Sequence, residues 1–347
     1  MKRQLDLVYT TMVAELLERT LDAQFDADFP ETGTFKKRTV KERGYWYYKH
    51  SEKNKDPQPE KYVGRADDPA IANRVANFAR IKDDYQNRRK IVSTLSREAR
   101  LFSPESRVGD IVEALWKAGV FRLRACLIGT IAYQTYGTVL GYRIADTAMQ
   151  TGDIDIAQFH SLSVGVEDSI PPILEVLQGV DEKFRPAPQL NDQLGTTRFV
   201  AKGGLRVDFL TPNLWSDDQT GRPVTLPAMG GAAAEPLRFL DYLIHEPVRT
   251  VMLHKGGIPV LVPQPARYAV HKLIVASRRK TGEGKDMKDL RQAHDLATAL
   301  RETGRQEELN LAISEAMERG SHWKQAMEAS RNKMGKLGMD GFQKASQ

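Results

Sequence analysis

The chain has 347 residues, 41% of them hydrophobic and 28% charged, the make-up of an ordinary globular protein with a sizeable core and two or three structural units. No apolar run approaches the length of a bilayer-crossing helix, and the start, Met1-Lys2-Arg3 before an acid-containing amphipathic segment, lacks the apolar stretch of a signal peptide. A single cysteine, Cys126, excludes an internal disulfide and fits a reducing cytoplasm, while a formal charge of +6 is compatible with an anionic partner without requiring one.

Residues 4–29 read as an amphipathic helix, with Val8, Met12 and Leu16 on one stripe and Val13, Leu17 and Leu21 beside it. A basic arm follows. Between residues 36 and 55, Lys36, Lys37, Arg38, Lys41, Arg43, Lys49, Lys53 and Lys55 stand against Glu42 and Glu52 only, an excess equal to that of the whole chain. The arm contains the β-prone run Tyr45-Trp46-Tyr47-Tyr48; Lys53-Asn54-Lys55-Asp56-Pro57 reads as a turn and residues 61–64 as a returning strand. Cations interleaved with Tyr45, Trp46 and Tyr47 suit a nucleic acid, through phosphate neutralisation and base stacking. They equally suit a small hairpin whose aromatic rings pack on neighbouring helices.

Asp68-Pro69 is an N-cap and first-turn pair opening a long helix, with Ile71, Val75, Phe78, Ile81 and Tyr85 inward as far as about Leu95, and with Arg88-Arg89-Lys90 on a solvated face. Ser103-Pro104 breaks the pattern and marks a domain boundary. A helix over 108–117 ends at Ala118-Gly119 and feeds an apolar strand containing the buried Cys126.

Residues 127–156 carry the chemistry. The apolar run Leu127-Ile128 delivers a Gly129-Thr130 turn, a helix follows, and Asp153-Ile154-Asp155-Ile156 closes the segment. In a strand, positions two apart share a face, so Asp153 and Asp155 project together while Ile154 and Ile156 enter the core. Two carboxylates so placed repel unless a cation lies between them, and hard divalent ions with oxygen ligands, Mg²⁺ above all, suit them. The turn opening a helix offers backbone N–H groups to a phosphate.

Further on, residues 171–177 read as a helix. Residues 197–201 and 205–210 read as two strands around Lys202-Gly203-Gly204, with Asp208 sharing a face with Arg206 and Leu210. A Gly-, Ala- and Pro-rich loop spans 213–234, a short helix 235–244, and two strands 249–253 and 258–262. A strong helix runs over 266–279, closed by Arg278-Arg279-Lys280; others start at Lys285-Asp286 and cover about 306–317. From Arg331 the chain is polar and expected to fray.

Gly129-Thr130, Asp153-x-Asp155 and Asp208 together resemble the motif set of the DNA polymerase β-like nucleotidyltransferase superfamily. Lys272, Arg279, Lys285-Asp286 and Asp289 resemble the C-terminal signature of the minimal nucleotidyltransferases, which include toxins of toxin–antitoxin pairs. Gly129-Thr130-x-Ala132-Tyr133, Tyr136, Thr151-Gly152-Asp153-Ile154-Asp155 and Pro265-x-Arg267-Tyr268-Ala269-x-His271-Lys272-Leu273 are similar to the bacterial NTP-transferase-8 group, over about residues 35–296. Two features depart from the pattern: threonine stands where serine is usual, and 22 residues separate Thr130 from Asp153, a longer interval than usual. Base preference therefore does not carry over.

The resemblance implies an α+β fold, with a polymerase β-like core of mixed sheet flanked by helices and helical N- and C-terminal parts. The divisions expected are 1–103 (helical, with the basic arm), 104–264 (catalytic core), 265–330 (helical subdomain) and 331–347 (flexible tail). It implies transfer of NMP from an NTP such as ATP to a hydroxyl of RNA, tRNA included, or of a protein, with release of pyrophosphate. Asp153, Asp155 and Asp208 would hold Mg²⁺, with Mn²⁺ as a substitute, in a two-ion arrangement. Asp208 would also be placed to accept the acceptor's proton. Gly129, Thr130, Lys272, Arg279 and Lys285 would bind the nucleotide, with Asp286 and Asp289 in support or simply favoured by a helix N-terminus. The rival expectations are an inactive nucleotidyltransferase fold that binds nucleic acid, and the toxin of a bacterial defence pair. No membrane contact is expected, and the oligomeric state is open.

Overall fold

The structure, a computed structural model, describes residues 3–22, 33–40, 43–49, 60–144, 151–165, 169–187, 195–213, 222–279, 284–339 and 341–342. The first helix, α1 (Leu7–Asp22), stops before residue 29; residues 23–32 lie outside the described residues, as do the turn read at 53–57, Lys41 and Lys280. The basic arm is a three-stranded antiparallel sheet of β1 (Thr34–Val40), β2 (Arg43–Lys49) and β3 (Glu60–Arg65). The first of these strands was not read from sequence.

Register explains how the arm divides. Phe35 opposes Tyr48, while Lys36 opposes Tyr47 and Arg38 opposes Tyr45. Directly opposed residues share a face, so one face presents Phe35 and Tyr48 and the other alternates cations with tyrosines. On the first face, Phe35 and Tyr48 meet Phe78 edge-on, with centroids 4.7 and 5.9 Å away. Phe78 belongs to α2 (Pro69–Arg97), whose N-terminus Asp68 caps by accepting the Ile71 N–H at 3.4 Å. On the second face, the Arg38 guanidinium lies 5.4 Å from the Tyr47 ring centroid. The packing reading thus holds for one face, while the other keeps its cations and tyrosines together.

Then come α3 (Ser106–Ala118), β4 (Cys126–Ile128), α4 (Gly129–Leu140), β5 (Asp153–Ala157), α5 (His160–Gly165), α6 (Ile173–Gln178), β6 (Arg185–Pro186), β7 (Arg198–Val200), β8 (Arg206–Pro212), β9 (Val224–Thr225), β10 (Ala233–Leu237) and α7 (Leu240–Leu243). The strands β4 to β10 form one mixed sheet. Its centre is β8, parallel to β5 on one side; on the other it pairs first antiparallel with β7 and then parallel with β10. The expected helix over 235–244 is corrected here. Glu235-Pro236-Leu237 extends the sheet beside Leu210 to Pro212, and only one helical turn follows. Pro236 cannot donate a ladder hydrogen bond and disfavours helix at the residue before it.

The hairpin β11 (Val248–Met252) and β12 (Ile258–Val262) precedes α8 (Pro265–Arg278), α9 (Lys285–Glu302), α10 (Gln306–Glu318) and α11 (Ser321–Lys336). The fraying expected from Arg331 is also corrected. Helix α11 continues to Lys336, Met334 and Phe342 are buried, and the Gly341 N–H donates to His294 Nδ1 at 3.0 Å. The periodic apolar positions Trp323, Met327 and Met334 supply the helix face that polar composition hid. One apolar cluster runs without a break from Val108 through the sheet to Phe342. A smaller one joins α1, the end of α2 and β11. Among the described residues no helix is long and apolar enough to cross a membrane.

Arg88 is not on a solvated face. Its side chain is 2% exposed, pairs with Asp84 at 2.9 Å and donates to the Gly256 carbonyl at 3.1 Å, tying α2 to the β11–β12 turn. Arg88→Met removes those bonds and leaves the carbonyl unsatisfied, so urea unfolding should show a loss of about 2 kcal/mol. A change below about 0.5 kcal/mol, the level of ordinary surface substitutions, would refute this anchoring role.

Candidate active site

Strand β4 ends where the chain turns sharply into α4. Gly129 makes that turn with φ +66°, and a Cβ built on it would lie 2.2 Å from Asp155 Oδ2. Only glycine allows both the backbone conformation and the close approach of the carboxylate. One strand away, Asp153 lies in register with Arg206, and Asp155 with Asp208. In-register neighbours project to the same face. The two strands therefore present a patch of three carboxylates and one guanidinium, while Ile154, Ile156, Val207 and Phe209, all fully buried, fill the opposite face. Burying each such side chain contributes roughly 1.5–3 kcal/mol, which fixes the register and so the carboxylates. Gly152 lets the strands close up at the edge of the patch. Its carbonyl accepts the Arg206 N–H at 2.8 Å, and a Cβ there would meet the Gly204 carbonyl at 2.7 Å.

The patch is electrostatically strained. Burial, then the neighbouring Asp208 and Asp153 charges, push the Asp155 carboxyl up to about 6. Two arginines offset part of the repulsion. Arg206 lies 2.9 Å from Asp153 and 3.1 Å from Asp208. Arg198, in register with Asp208 across β7, donates to it through Nε at 2.7 Å and through a terminal nitrogen at 3.2 Å. Sequence placed Arg206 on the face of Asp208 but gave no sign of Arg198, because cross-strand register is not readable from one strand.

Helices α8 and α9 form the facing wall. Asp289 holds Lys272 Nζ at 2.6 Å and Arg279 Nε at 3.2 Å. Lys272 also sits 5.2 Å from the ring centroid of Tyr268, whose hydroxyl donates to the Gly129 carbonyl at 2.9 Å. That hydroxyl ties the helical wall to the turn. The cleft between the walls measures about 600 Å³. Of the residues singled out from sequence, Gly129, Thr130, Asp153, Asp155, Lys272, Arg279, Lys285 and Asp289 line it. Asp208 stands beside Asp155 and is nearly buried.

Asp286 is not among them. It is buried and pairs with Lys333 of α11, which anchors the helix and holds its carboxyl below the usual range. None of Lys36, Lys37, Arg38, Arg43, Tyr45, Trp46 and Tyr47 lines the cleft. His271 does, and burial, reinforced by Lys272, pushes its imidazole down to about 3, so it is neutral near pH 7. Seven lysines and arginines line the cleft against three carboxylates, so it is cationic in spite of the acidic patch. Such a site can hold a hard divalent cation on one wall and a polyphosphate against the other.

Elsewhere, Asp110, Glu113 and His254 bring possible ligand atoms within 4.8 Å of one another. Lys255 Nζ already lies between the two acids, 2.7 Å from Asp110 and 2.5 Å from Glu113, and supplies the charge that a metal would.

A family model described as Nucleotidyltransferase, the NTP-transferase-8 group, matches residues 106–318, more than half of the chain. No curated protein matches. Among solved structures, the crystal structure of an antigenic nucleotidyltransferase-like protein from Paracoccidioides brasiliensis is similar at 14% identity, over 63% of this chain and 92% of that one, with a TM-score of 0.28. At that score the likeness carries no argument.

Gly129→Ala should lower stability in urea by at least about 1 kcal/mol, the cost of a left-handed conformation for a residue with a Cβ, with displacement of Asp155 in addition. A variant as stable as the wild type would mean that the turn does not have this conformation.

Proposed function

The chain belongs to this nucleotidyltransferase family, and on that premise we propose that it transfers NMP from an NTP to a hydroxyl of an acceptor RNA at the cleft between β5–β8 and α8–α9. One observation carries the reading: Asp153 and Asp155 face Lys272 and Arg279 across a single cationic cleft.

The residues present fit a divalent cation. Asp153, Asp155 and Asp208 are hard oxygen donors, and burial first and the Asp208 and Asp153 charges second raise the Asp155 carboxyl in spite of Arg206. These three would hold Mg²⁺ or Mn²⁺. When bound, one or two such ions supply Lewis-acid stabilisation of the phosphoryl oxygens and lower the pKa of the acceptor hydroxyl.

The protein's own groups do the rest. The backbone at Gly129 and the Thr130 side chain border the phosphates, as does the N-terminus of α4. Lys272 and Arg279, held by Asp289, turn their charge to the triphosphate. Asp208 accepts the acceptor's proton. At the far end, Pro236, Phe239, Leu240 and Leu243 make an apolar wall suited to a nucleobase. RNA is the acceptor class favoured by the outer face of the arm, where exposed Lys36, Arg38 and Arg43 accompany half-buried Tyr45 and Tyr47.

The test is incubation with each α-labelled NTP, Mg²⁺ and cell extract, followed by separation of labelled RNA from labelled protein. Replacing Asp153 and Asp155 by Asn should cut labelling at least about 100-fold, the scale of losing electrostatic stabilisation of a transition state. Undiminished labelling would remove the proposed site, and label on protein alone would remove the RNA acceptor.

A further inference from the structure

Lys288 was not part of any motif read from the sequence, yet it lines the cleft beside Lys272, Asp153 and Asp155. Its placement is unfavourable in three respects. It lies in the first turn of α9, where the helix dipole disfavours a cation. It is half-buried, while its neighbour Lys285 is exposed. And among the described residues no carboxylate pairs with it. Asp289, next to it in sequence, is occupied by Lys272 and Arg279, while Asp153 is paired with Arg206.

Burial, and then the Lys272 charge, hold the Lys288 ammonium below the usual lysine range, against upward pulls from Asp289, Asp153 and Asp155. Lys288 thus sits within the fields of both walls. A desolvated cation that lacks a counter-ion is costly to keep, and a helix N-terminus with two lysines is itself suited to an anion.

We propose that Lys288 is a polyphosphate-binding residue: its ammonium, which no carboxylate pairs among the described residues, receives the terminal phosphates of the NTP and then the pyrophosphate released. The proposal rests on the nucleotidyltransferase reading and extends it to a residue outside the motif. It distinguishes Lys288 from its neighbours by what each must give up. Lys272 and Arg279 have to leave Asp289 to meet a phosphate, whereas Lys288 has no bond to break. Its charge is therefore available to the incoming anion before theirs.

Inorganic tripolyphosphate with Mg²⁺ is the probe, since it carries the phosphates without base or sugar; the four NTPs serve as a second set. Isothermal titration of the full chain should show Lys288→Met binding tripolyphosphate about 10- to 100-fold more weakly than wild type, the loss of one charge-assisted hydrogen bond. Lys288→Arg should stay within about threefold, because it keeps the charge. The urea midpoint of Lys288→Met should equal or exceed that of the wild type, since the substitution removes an unpaired cation. A merely structural lysine would lower it. Equal affinity of Lys288→Met and wild type, or a destabilised Lys288→Met that Lys288→Arg does not rescue, would overturn the proposal and leave the nucleotidyltransferase reading standing. A wild type that binds neither tripolyphosphate nor any NTP would overturn that reading, and the inference with it.

Discussion

Three carboxylates on two adjacent parallel strands cannot share one face without compensation, and the rest of the cleft follows from that. Coulomb repulsion between groups a few ångström apart is weak in water and strong in a half-buried site. Burial is the first cause of the raised Asp155 carboxyl, and the Asp208 and Asp153 charges add to it. Side-chain sterics alone would allow the strands to slip, but a slip of one residue would turn Ile154, Ile156, Val207 and Phe209 outward. The hydrophobic face thus forces an electrostatic arrangement that would not form by itself. Arg198 and Arg206 are the local response, and the cationic wall of α8 and α9 is the distant one.

The two walls are not independent. Tyr268 joins α8 to the Gly129 turn through its hydroxyl and carries Lys272 over its ring. Asp289 holds Lys272 and Arg279 ready without leaving either cation bare. This arrangement resembles an ion exchanger. Lys272 and Arg279 share one carboxylate between them, so a polyanion that carries several charges offers them more than Asp289 does.

How much of this was legible depends on whether the signal was local. The turn at Gly129-Thr130, the alternation Asp153-Ile154-Asp155 and the acid at Asp208 are local patterns, and they placed the patch on the correct strands. The helices read over 266–279 and from Lys285 onward did the same for Lys272 and Asp289. What was missed depends on pairing. Arg198 matters because β7 lies antiparallel to β8, and Glu235 to Leu237 is a strand because β8 offers it an edge. Arg88 is buried because a hairpin 168 residues later covers it. Lys288 carries no motif, and its character comes from what does not pair with it. The arm was left open between two readings because composition cannot assign opposite faces of a sheet, which register does at once.

The unbroken apolar cluster from Val108 to Phe342 has a consequence for biosynthesis. Domains fold largely as units, and a ribosome delivers the chain from its N-terminus. The strands that bear the aspartates emerge well before α8 to α11, which complete the same core and bring Lys272, Arg279 and Lys288. A nascent chain arrested before α8 has the acidic patch without its opposing wall. The cleft as a whole, with both of its walls, therefore exists only after α8 and α9 have emerged.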